Sequence, residues 1–347
     1  MENLHDLCSY RSARGRTLRN IALVCLILLL CGPSPLRAQP MKKVLLPFSP
    51  IGINCLPWFV AKEAHIYEKY GIDVDPVFVG ASSALIQSML SGAADMAGAG
   101  GPAIIANVLK GGDIIQVTAM VPRFTQSIMV KPGIKKPEDM LGKKMGVSRL
   151  GTVTHFALQT ALDGYGVKGV TILQMGGQPE AVAGLVRGSV DGAVFSPPYN
   201  FQLKKQGYTE LVSPNDLQKL TAFITNGIIA RRSAVEKDKD SLIRLIKSTA
   251  EAIKLITTDR EFTKKVITKW MPLKDPDLLE DVYRFATENY DKVGIVPEDA
   301  LRSMVKEMVQ SNLVDAKIAA NTPLTAYYDN RYVEEVKRSG FFDQLWK

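Results

Sequence analysis

The sequence predicts an α/β protein of two lobes, each a mostly parallel sheet flanked by helices, joined by a two-strand hinge. Three observations predict this fold class. Short apolar strands alternate with helices, glycines stand where helices end, and the whole pattern occurs twice at an offset of 96 residues. The repeat is visible in the matched pairs Val74/Val170, Gly80/Gly176, Gly92/Gly188, Asp95/Asp191, Pro102/Pro198 and Gly111/Gly207.

The first 38 residues have the pattern of a secretory signal peptide. Arginines precede an apolar run at residues 21–31, which ends at glycine and proline. This run is shorter than the roughly 20 residues that a helix needs to cross a bilayer. We therefore expect cleavage after Ala38 and a periplasmic location. Lipidation at Cys31 is the less favoured alternative, because the three leucines before it include no small residue.

Composition disfavours nucleic-acid binding and an internal disulfide. Removal of residues 1–38 takes away five basic and two acidic residues, so the formal net charge falls from +8 to +5. The remaining basic residues form scattered pairs rather than a stripe interleaved with aromatics. Of the four cysteines only Cys55 remains after cleavage, so no internal disulfide is expected.

Each copy of the repeat predicts three strands and three helices in alternation. The first copy has strands at 44–48, 74–79 and 95–99 and helices at 56–70, 83–91 and 102–110. The second has strands at 144–147, 170–174 and 191–195 and helices at 152–163, 178–187 and 198–206. Glycine takes the left-handed conformation that ends many helices, and the predicted helix ends are Gly71, Gly92, Gly111, Gly164, Gly188 and Gly207.

Two further strands, at 127–131 and 223–230, predict two crossings between the lobes. Residues 39–127 and 226–347 form lobe one in this interpretation, residues 128–225 form lobe two, and residues 236–347 are helical. Two crossings make a hinge, so the lobes are expected to close on a cleft.

Four segments resemble a known family: WFVAKE at 58–63, YEKYGIDV at 67–74, LSGAADM at 90–96 and GVSR at 146–149. They are similar to the periplasmic solute-binding proteins of nitrate, sulfonate and taurine ABC importers, and to related proteins that bind pyrimidine precursors of thiamine. The resemblance implies the type II periplasmic-binding fold, a small-molecule ligand and no cofactor. It also implies a monomer that works with an ABC permease and its ATPase.

In both copies, strand ends lead into helix beginnings with small polar residues. Unpaired N–H groups there, at the positive end of the helix dipole, favour an organic anion of the sulfonate or carboxylate class. The candidate ligand-binding residues are Asn54, Trp58, Ser82, Ser83, Gly101, Pro102, Arg149, Thr152, Gln178, Ser196 and Asn226. Helix capping is the alternative role of Ser82 and Thr152, a core position that of Trp58, and a surface ion pair that of Arg149.

An enzyme is the disfavoured interpretation. After cleavage only His65, His155 and one cysteine remain, and no metal-ligand spacing, nucleophile elbow or phosphate loop occurs. Pyrimidine-synthesising proteins that the chain also resembles use a cysteine-rich motif that is missing from this sequence. Two alternatives stay open, namely binding of a pyrimidine or thiamine precursor and ligand sensing for a membrane receptor.

Overall fold

The computed structural model describes residues 41–49, 52–80, 82–271 and 273–347, so the predicted signal at 1–38 lies outside the described residues. Within these ranges no helix is both long and apolar enough to span a membrane. The strands, in chain order, are β1 (Lys42–Phe48), β2 (Ile72–Phe78), β3 (Met96–Ala99), β4 (Ile114–Gln116), β5 (Ser127–Val130), β6 (Lys144–Val147), β7 (Thr171–Gln174), β8 (Gly192–Phe195), β9 (Thr209–Val212) and β10 (Gly227–Arg231).

These strands form two five-stranded sheets with matching topology. The first, which we call the sheet of lobe one, has the order β2-β1-β3-β10-β4, and the second, the sheet of lobe two, has the order β7-β6-β8-β5-β9. In lobe one β1 is parallel to β2 and β3, and β10 is antiparallel to β3 and β4. In lobe two β6 is parallel to β7 and β8, and β5 is antiparallel to β8 and β9. Each sheet therefore takes its antiparallel strand from the chain just after a crossing.

The helices, in chain order, are α1 (Leu56–Glu63), α2 (Ile66–Lys69), α3 (Ser82–Leu90), α4 (Gly101–Leu109), α5 (Val153–Gly164), α6 (Gln178–Arg187), α7 (Tyr199–Lys205), α8 (Pro214–Leu220), α9 (Arg232–Val235), α10 (Lys239–Thr258), α11 (Arg260–Trp270), α12 (Pro276–Asn289), α13 (Glu298–Gln310), α14 (Ala316–Asn321), α15 (Arg331–Arg338) and α16 (Phe341–Leu345). The predicted repeat is confirmed, since α3 and α6 begin 96 residues apart, as do β3 and β8.

Three predicted elements differ from the structure. The helix expected at 56–70 is interrupted, because His65 adopts a left-handed conformation with φ 54° between α1 and α2. Gly164 is the last residue of its helix but is not left-handed, and the left-handed residue that follows the helix is Gly166, with φ 68°. Gly164 is instead a close contact, since a Cβ there would lie 2.7 Å from a methyl group of Leu220. The other five glycines do have positive φ, as predicted.

The second crossing is the third difference. Residues 223–226 do not belong to β10 but form an isolated antiparallel bridge, Val121 to Asn226, with the first crossing. The ring of Phe223 stacks on Phe124 of the first crossing at 4.2 Å between centroids, and on Phe156 of α5 at 4.9 Å. One buried aromatic stack thus holds both crossings against lobe two. The lobe boundaries at 127/128 and 225/226 stay a prediction.

The predicted helical C-terminal region is confirmed. Aspartates cap α10, α11, α12 and α14, and each side chain accepts a hydrogen bond from a backbone N–H of its helix. Helix α10 packs on α1 and contributes to the apolar core of lobe one, whereas α13 packs on α4. The segment therefore covers lobe one, and α13 also approaches lobe two at α5.

Candidate functional site

A cavity lies between the two lobes, next to the crossings. Lobe one contributes Ser49, Asn54, Gly80 and Ser82, the crossings contribute Gln126, Thr225 and Asn226, and lobe two contributes Ser148, Thr152, Val153, Thr154, Gly177, Gln178 and Ser196. Its volume is about 30 Å³, which is space for roughly two water molecules. The lobes are therefore closer together than they can be around an organic ligand, so such a ligand needs them to separate both to enter and to be held.

Three helices begin at this cavity. Ser82 is the first residue of α3 in lobe one, while Val153 and Gln178 are the first residues of α5 and α6 in lobe two. The first N–H groups of a helix have no partner within the helix and lie at the positive end of its dipole. The cavity consequently receives hydrogen-bond donors from both lobes.

The loop before α5 is held by hydroxyl groups. Ser148 Oγ lies 3.0 Å from Thr152 Oγ1 and 2.7 Å from Thr154 Oγ1, and Thr154 Oγ1 also accepts from Ser148 N at 2.9 Å. Thr152 does not cap the helix with its side chain but donates to the carbonyl of Arg149 at 2.7 Å. These bonds fix the loop whose hydroxyls line lobe two's side of the cavity.

A second network joins both crossings to both lobes. The backbone N–H of Thr125 donates to Gln126 Oε1 at 3.2 Å, and Gln126 Nε2 donates to Ser196 Oγ at 3.3 Å. Thr225 Oγ1 donates to the carbonyl of Arg123 at 2.6 Å and lies 3.3 Å from Gln126 Oε1. Thr125 Oγ1 in turn donates to Asn54 Oδ1 at 3.3 Å. Gln126 is thus the buried centre at which the crossings meet the cavity.

Asn226 links the second crossing to the segment that precedes α1. Its Nδ2 donates to the carbonyl of Asn54 at 3.0 Å, and its Oδ1 accepts from the N–H of Gly227 at 2.8 Å. It also contacts the buried Cys55, and burial raises the pKa of this thiol so that it stays protonated. The thiol therefore adds no charge beside the cavity.

Two amide nitrogens of the lining make no hydrogen bond to any described residue. Gln178 is 4% exposed, and its Oε1 accepts from Ser196 N at 3.0 Å, whereas its Nε2 is buried and unpaired. Asn54 is 2% exposed, and its Oδ1 is engaged while its Nδ2 has no partner in the same part of the chain. One free amide donor thus comes from each lobe.

The lining carries no ionisable side chain among the residues that the structure describes. The undescribed neighbours of the lining residues in the sequence are Pro50, Ile51 and Ala81, which have none either. The described ranges also contain no group of three or more histidine, cysteine or acidic residues suited to a metal ion. The site is therefore a neutral set of hydrogen-bonding groups.

Six of the predicted site residues line the cavity: Asn54, Ser82, Thr152, Gln178, Ser196 and Asn226. The side chain of Ser83 lies outside the described part of the structure. The ligand contacts themselves stay predictions.

The remaining four predicted residues lie elsewhere. Trp58 is fully buried in the core of lobe one, where its ring fills the space that the missing side chain of Gly98 leaves. Gly101 and Pro102 are buried in the first turn of α4, and Gly101 N donates to the carbonyl of Ile224 at 3.2 Å. Arg149 is exposed to solvent. None of these side chains belongs to the lining.

Several lining residues were missed by the sequence reasoning: Ser49, Gln126, Ser148, Val153, Thr154 and Thr225. Two signals were available. Ser148 precedes Arg149 in the GVSR segment, and Gln126 and Thr225 stand beside the predicted crossings. Polar residues at a hinge become buried only when the two lobes come together, and no local sequence pattern predicts this.

Comparisons with known proteins bear on this site and fold. A family model described as NMT1/THI5 like matches residues 53–261, more than half of the chain. The taurine-binding periplasmic protein of Escherichia coli (strain K12) is 32% identical over 130 residues, which is 37% of this chain and 40% of that protein. The alignment thus spans less than half the length of this curated relative.

Solved structures show the same fold at low sequence identity. The alkanesulfonate-binding protein SsuA from Xanthomonas axonopodis pv. citri, bound to MOPS, has a TM-score of 0.71 at 17% identity, covering 83% of this chain and 98% of that one. The periplasmic nitrate-binding protein NrtA from Synechocystis PCC 6803 has a TM-score of 0.69 at 14% identity, covering 86% and 89%. The predicted resemblance and the predicted two-lobed fold are confirmed, and the chain belongs to the NMT1/THI5-like family.

Proposed function

We propose that this protein is the extracytoplasmic solute-binding component of an ABC importer and captures a small organic anion of the sulfonate or carboxylate class. One observation carries the proposal. The cavity between the lobes is lined from both sides by helix beginnings and neutral donors, with no ionisable side chain in the described lining. Such a site suits an anion that brings its own hydrogen-bond acceptors.

Closure of the lobes is the proposed capture step. A ligand that contacts α3 of lobe one and α5 and α6 of lobe two gains all its hydrogen bonds only in the closed form, so it shifts the population toward closure. One direct contact across the cleft is weak by comparison. The ion pair of Lys205 in α7 with Asp275 before α12 is solvent-exposed, and exposed pairs contribute about 0.2–1 kcal/mol.

The relatives support the transport role and the location. Taurine, alkanesulfonates and nitrate are named in the descriptions of proteins that share sequence or fold with this chain, and two of those proteins are named as periplasmic. The proposed partners are accordingly a permease and its ATPase. A flat pyrimidine is the less favoured ligand because no aromatic side chain stands in the described lining, and Trp58 lies in the core.

Binding and compaction test the proposal together. Protein purified after expression of the full chain would be titrated calorimetrically with ethanesulfonate, propionate, nitrate and a 4-aminopyrimidine, and small-angle scattering would follow the radius of gyration. We expect an organic anion to bind and to stabilise the compact form. Binding of the pyrimidine alone, or no binding of any anion, would contradict the proposed ligand class.

Cell fractionation tests the proposed location separately. The full chain would be expressed in a Gram-negative host, and periplasmic and cytoplasmic fractions would be compared. We expect the periplasmic form to begin at Gln39. A cytoplasmic protein that retains residues 1–38 would contradict the export prediction.

A further inference from the structure

The hydrogen bonds inside the cavity restrict the chemistry of its ligand more narrowly than the proposed function does. Four side-chain amides line the cavity, and each carbonyl oxygen already accepts a hydrogen bond from the protein. The bonds to the carbonyl oxygens of Asn54, Gln126, Gln178 and Asn226 come from Thr125 Oγ1, Thr125 N, Ser196 N and Gly227 N.

The orientations of three of these amides are determined by their donors. A backbone N–H cannot accept, so an oxygen rather than a nitrogen must face it in Gln126, Gln178 and Asn226. For Asn54 the donor is the hydroxyl of Thr125, which at the same time accepts from Gln126 Nε2 at 3.0 Å. That hydroxyl has its proton free for a bond to Asn54, and the oxygen of Asn54 faces it at 3.3 Å.

Every one of these oxygens has at least one donor, so the amide atoms that make no hydrogen bond at all are donors. Nε2 of Gln126 and Nδ2 of Asn226 are consumed within the protein. Nε2 of Gln178 in lobe two is a buried atom without a hydrogen-bond partner. Nδ2 of Asn54 in lobe one makes no hydrogen bond with the described residues, and both residues are more than nine-tenths buried. A buried amide N–H without a partner is costly, so a ligand acceptor that reaches it stabilises the closed form.

An ammonium group finds no opposite charge in the described lining, only neutral hydroxyls, amides and backbone groups. It has three donors and no acceptor, and a buried ammonium needs a carboxylate or several acceptors to offset its lost hydration. The described lining holds no carboxylate. An acidic residue beside it is Glu180, which is exposed and whose Oε2 lies 2.6 Å from the position that a Cβ on Gly177 would take.

We propose that Asn54 and Gln178 are specificity-determining residues that select organic anions without an ammonium group, such as simple sulfonates or carboxylates, over aminosulfonates and amino acids. The proposal rests on the proposed function, because it assigns the ligand of the same cavity. By this proposal the ligand preference of this chain differs from that of its relative named as taurine-binding, since taurine is an aminosulfonate.

Three ligands of nearly equal size test the selection. Protein purified after expression of the full chain would be titrated with ethanesulfonate, 2-hydroxyethanesulfonate and 2-aminoethanesulfonate, and propionate would be compared with β-alanine. We expect each amino compound to bind at least about tenfold more weakly than its partner without nitrogen. Equal or tighter binding of the amino compounds overturns the selection, while the proposed function stands. No binding of any anion contradicts both.

An isosteric exchange tests the two residues. Gln178→Glu keeps an oxygen to accept from Ser196 N but replaces the free N–H donor by an anionic oxygen. Asn54→Asp does the same opposite Thr125. We expect either variant to lose at least about tenfold in affinity for ethanesulfonate and to gain relative affinity for 2-aminoethanesulfonate. A purely structural role would weaken all ligands alike, so an unchanged ratio overturns the assignment.

Gln174→Glu is the matched control. Gln174 also lies in lobe two, and its Oε1 also accepts from a backbone N–H, that of Leu150 at 3.1 Å, but it is exposed and outside the lining. We expect its ligand affinities and their ratio to match those of the wild type. Glu180→Gln completes the set, because loss of 2-aminoethanesulfonate binding in that variant identifies Glu180 as the ammonium acceptor and overturns the selection.

Discussion

Replacement of Glu307 by glutamine should stabilise the protein in a pH-dependent way. Glu307 lies on α13, and its Oε1 accepts a hydrogen bond from Thr160 Oγ1 of α5, so it stands where the C-terminal region meets lobe two. Asp163, one turn further along α5, accepts from Ser311 Oγ at 2.8 Å. Burial, with a smaller contribution from the charge of Asp163, raises the pKa of Glu307 to about 7.

The sign and size of the expected stability change follow from the protonation of Glu307 in the folded and the unfolded states. Because the pKa of Glu307 in the folded protein lies above its ordinary value of 4.5, the folded state binds more protons between these two pH values, and stability falls as the pH rises through that window. The full difference corresponds to about 3 kcal/mol. Glu307 is only partly buried, so solvent screening reduces our expectation to about 1–2 kcal/mol above pH 7.

Glu307→Gln removes this cost and keeps an oxygen for Thr160. We expect the variant to unfold at higher urea concentration than the wild type at pH 8, with a gap of about 1–2 kcal/mol that shrinks to a few tenths near pH 4.5. Tryptophan fluorescence at both pH values measures the gap. Glu288→Gln is the control, because Glu288 is exposed and makes no ion pair within the described residues. A gap that is the same at both pH values, or absent from both, would refute the burial argument.

Three further substitutions test the packing and the site. Gly98→Ala places a Cβ 1.7 Å from a ring atom of the buried Trp58 and should lower the free energy of unfolding by about 3 kcal/mol or more in urea titrations. Gly111→Ala, with φ 79° and no atom within 4 Å, should cost only about 1–2 kcal/mol of backbone strain. Equal losses would argue against the Trp58 contact. Phe223→Ala removes the central ring of the crossing stack and should cost about 3–5 kcal/mol by the same measurement; a loss below 1 kcal/mol would show that the stack matters little. Arg149→Ala should leave calorimetric affinity for ethanesulfonate within about twofold, since Arg149 is exposed outside the lining, and a tenfold loss would place its guanidinium at the ligand.

The local pattern of the chain determined the architecture. Alternating strands and helices, the recurrence at 96 residues and five of six predicted helix-ending glycines all correspond to the structure, because strand and helix periods and the left-handed preference of glycine act over a few residues. Gly164 shows the limit of this reasoning. Because it has no side chain, Leu220 can pack closely against it, and Leu220 lies 56 positions further along the chain.

The cavity needed the tertiary structure. Ser148 and Arg149 are neighbours in the sequence, yet one lines the cavity and the other faces solvent, because the turn of the loop decides which side chain points between the lobes. The amide nitrogens of Asn54 and Gln178 stay free because the amide oxygens are engaged by Thr125 and Ser196. The fold brings these partners near, although they are distant in the sequence. The sequence by itself determined two lobes and the helix beginnings at their cleft. The hydrogen bonds that engage the oxygens of Asn54 and Gln178, and so leave their amide nitrogens unpaired, come from residues 71 and 18 positions away in the sequence. Only the folded chain decides them.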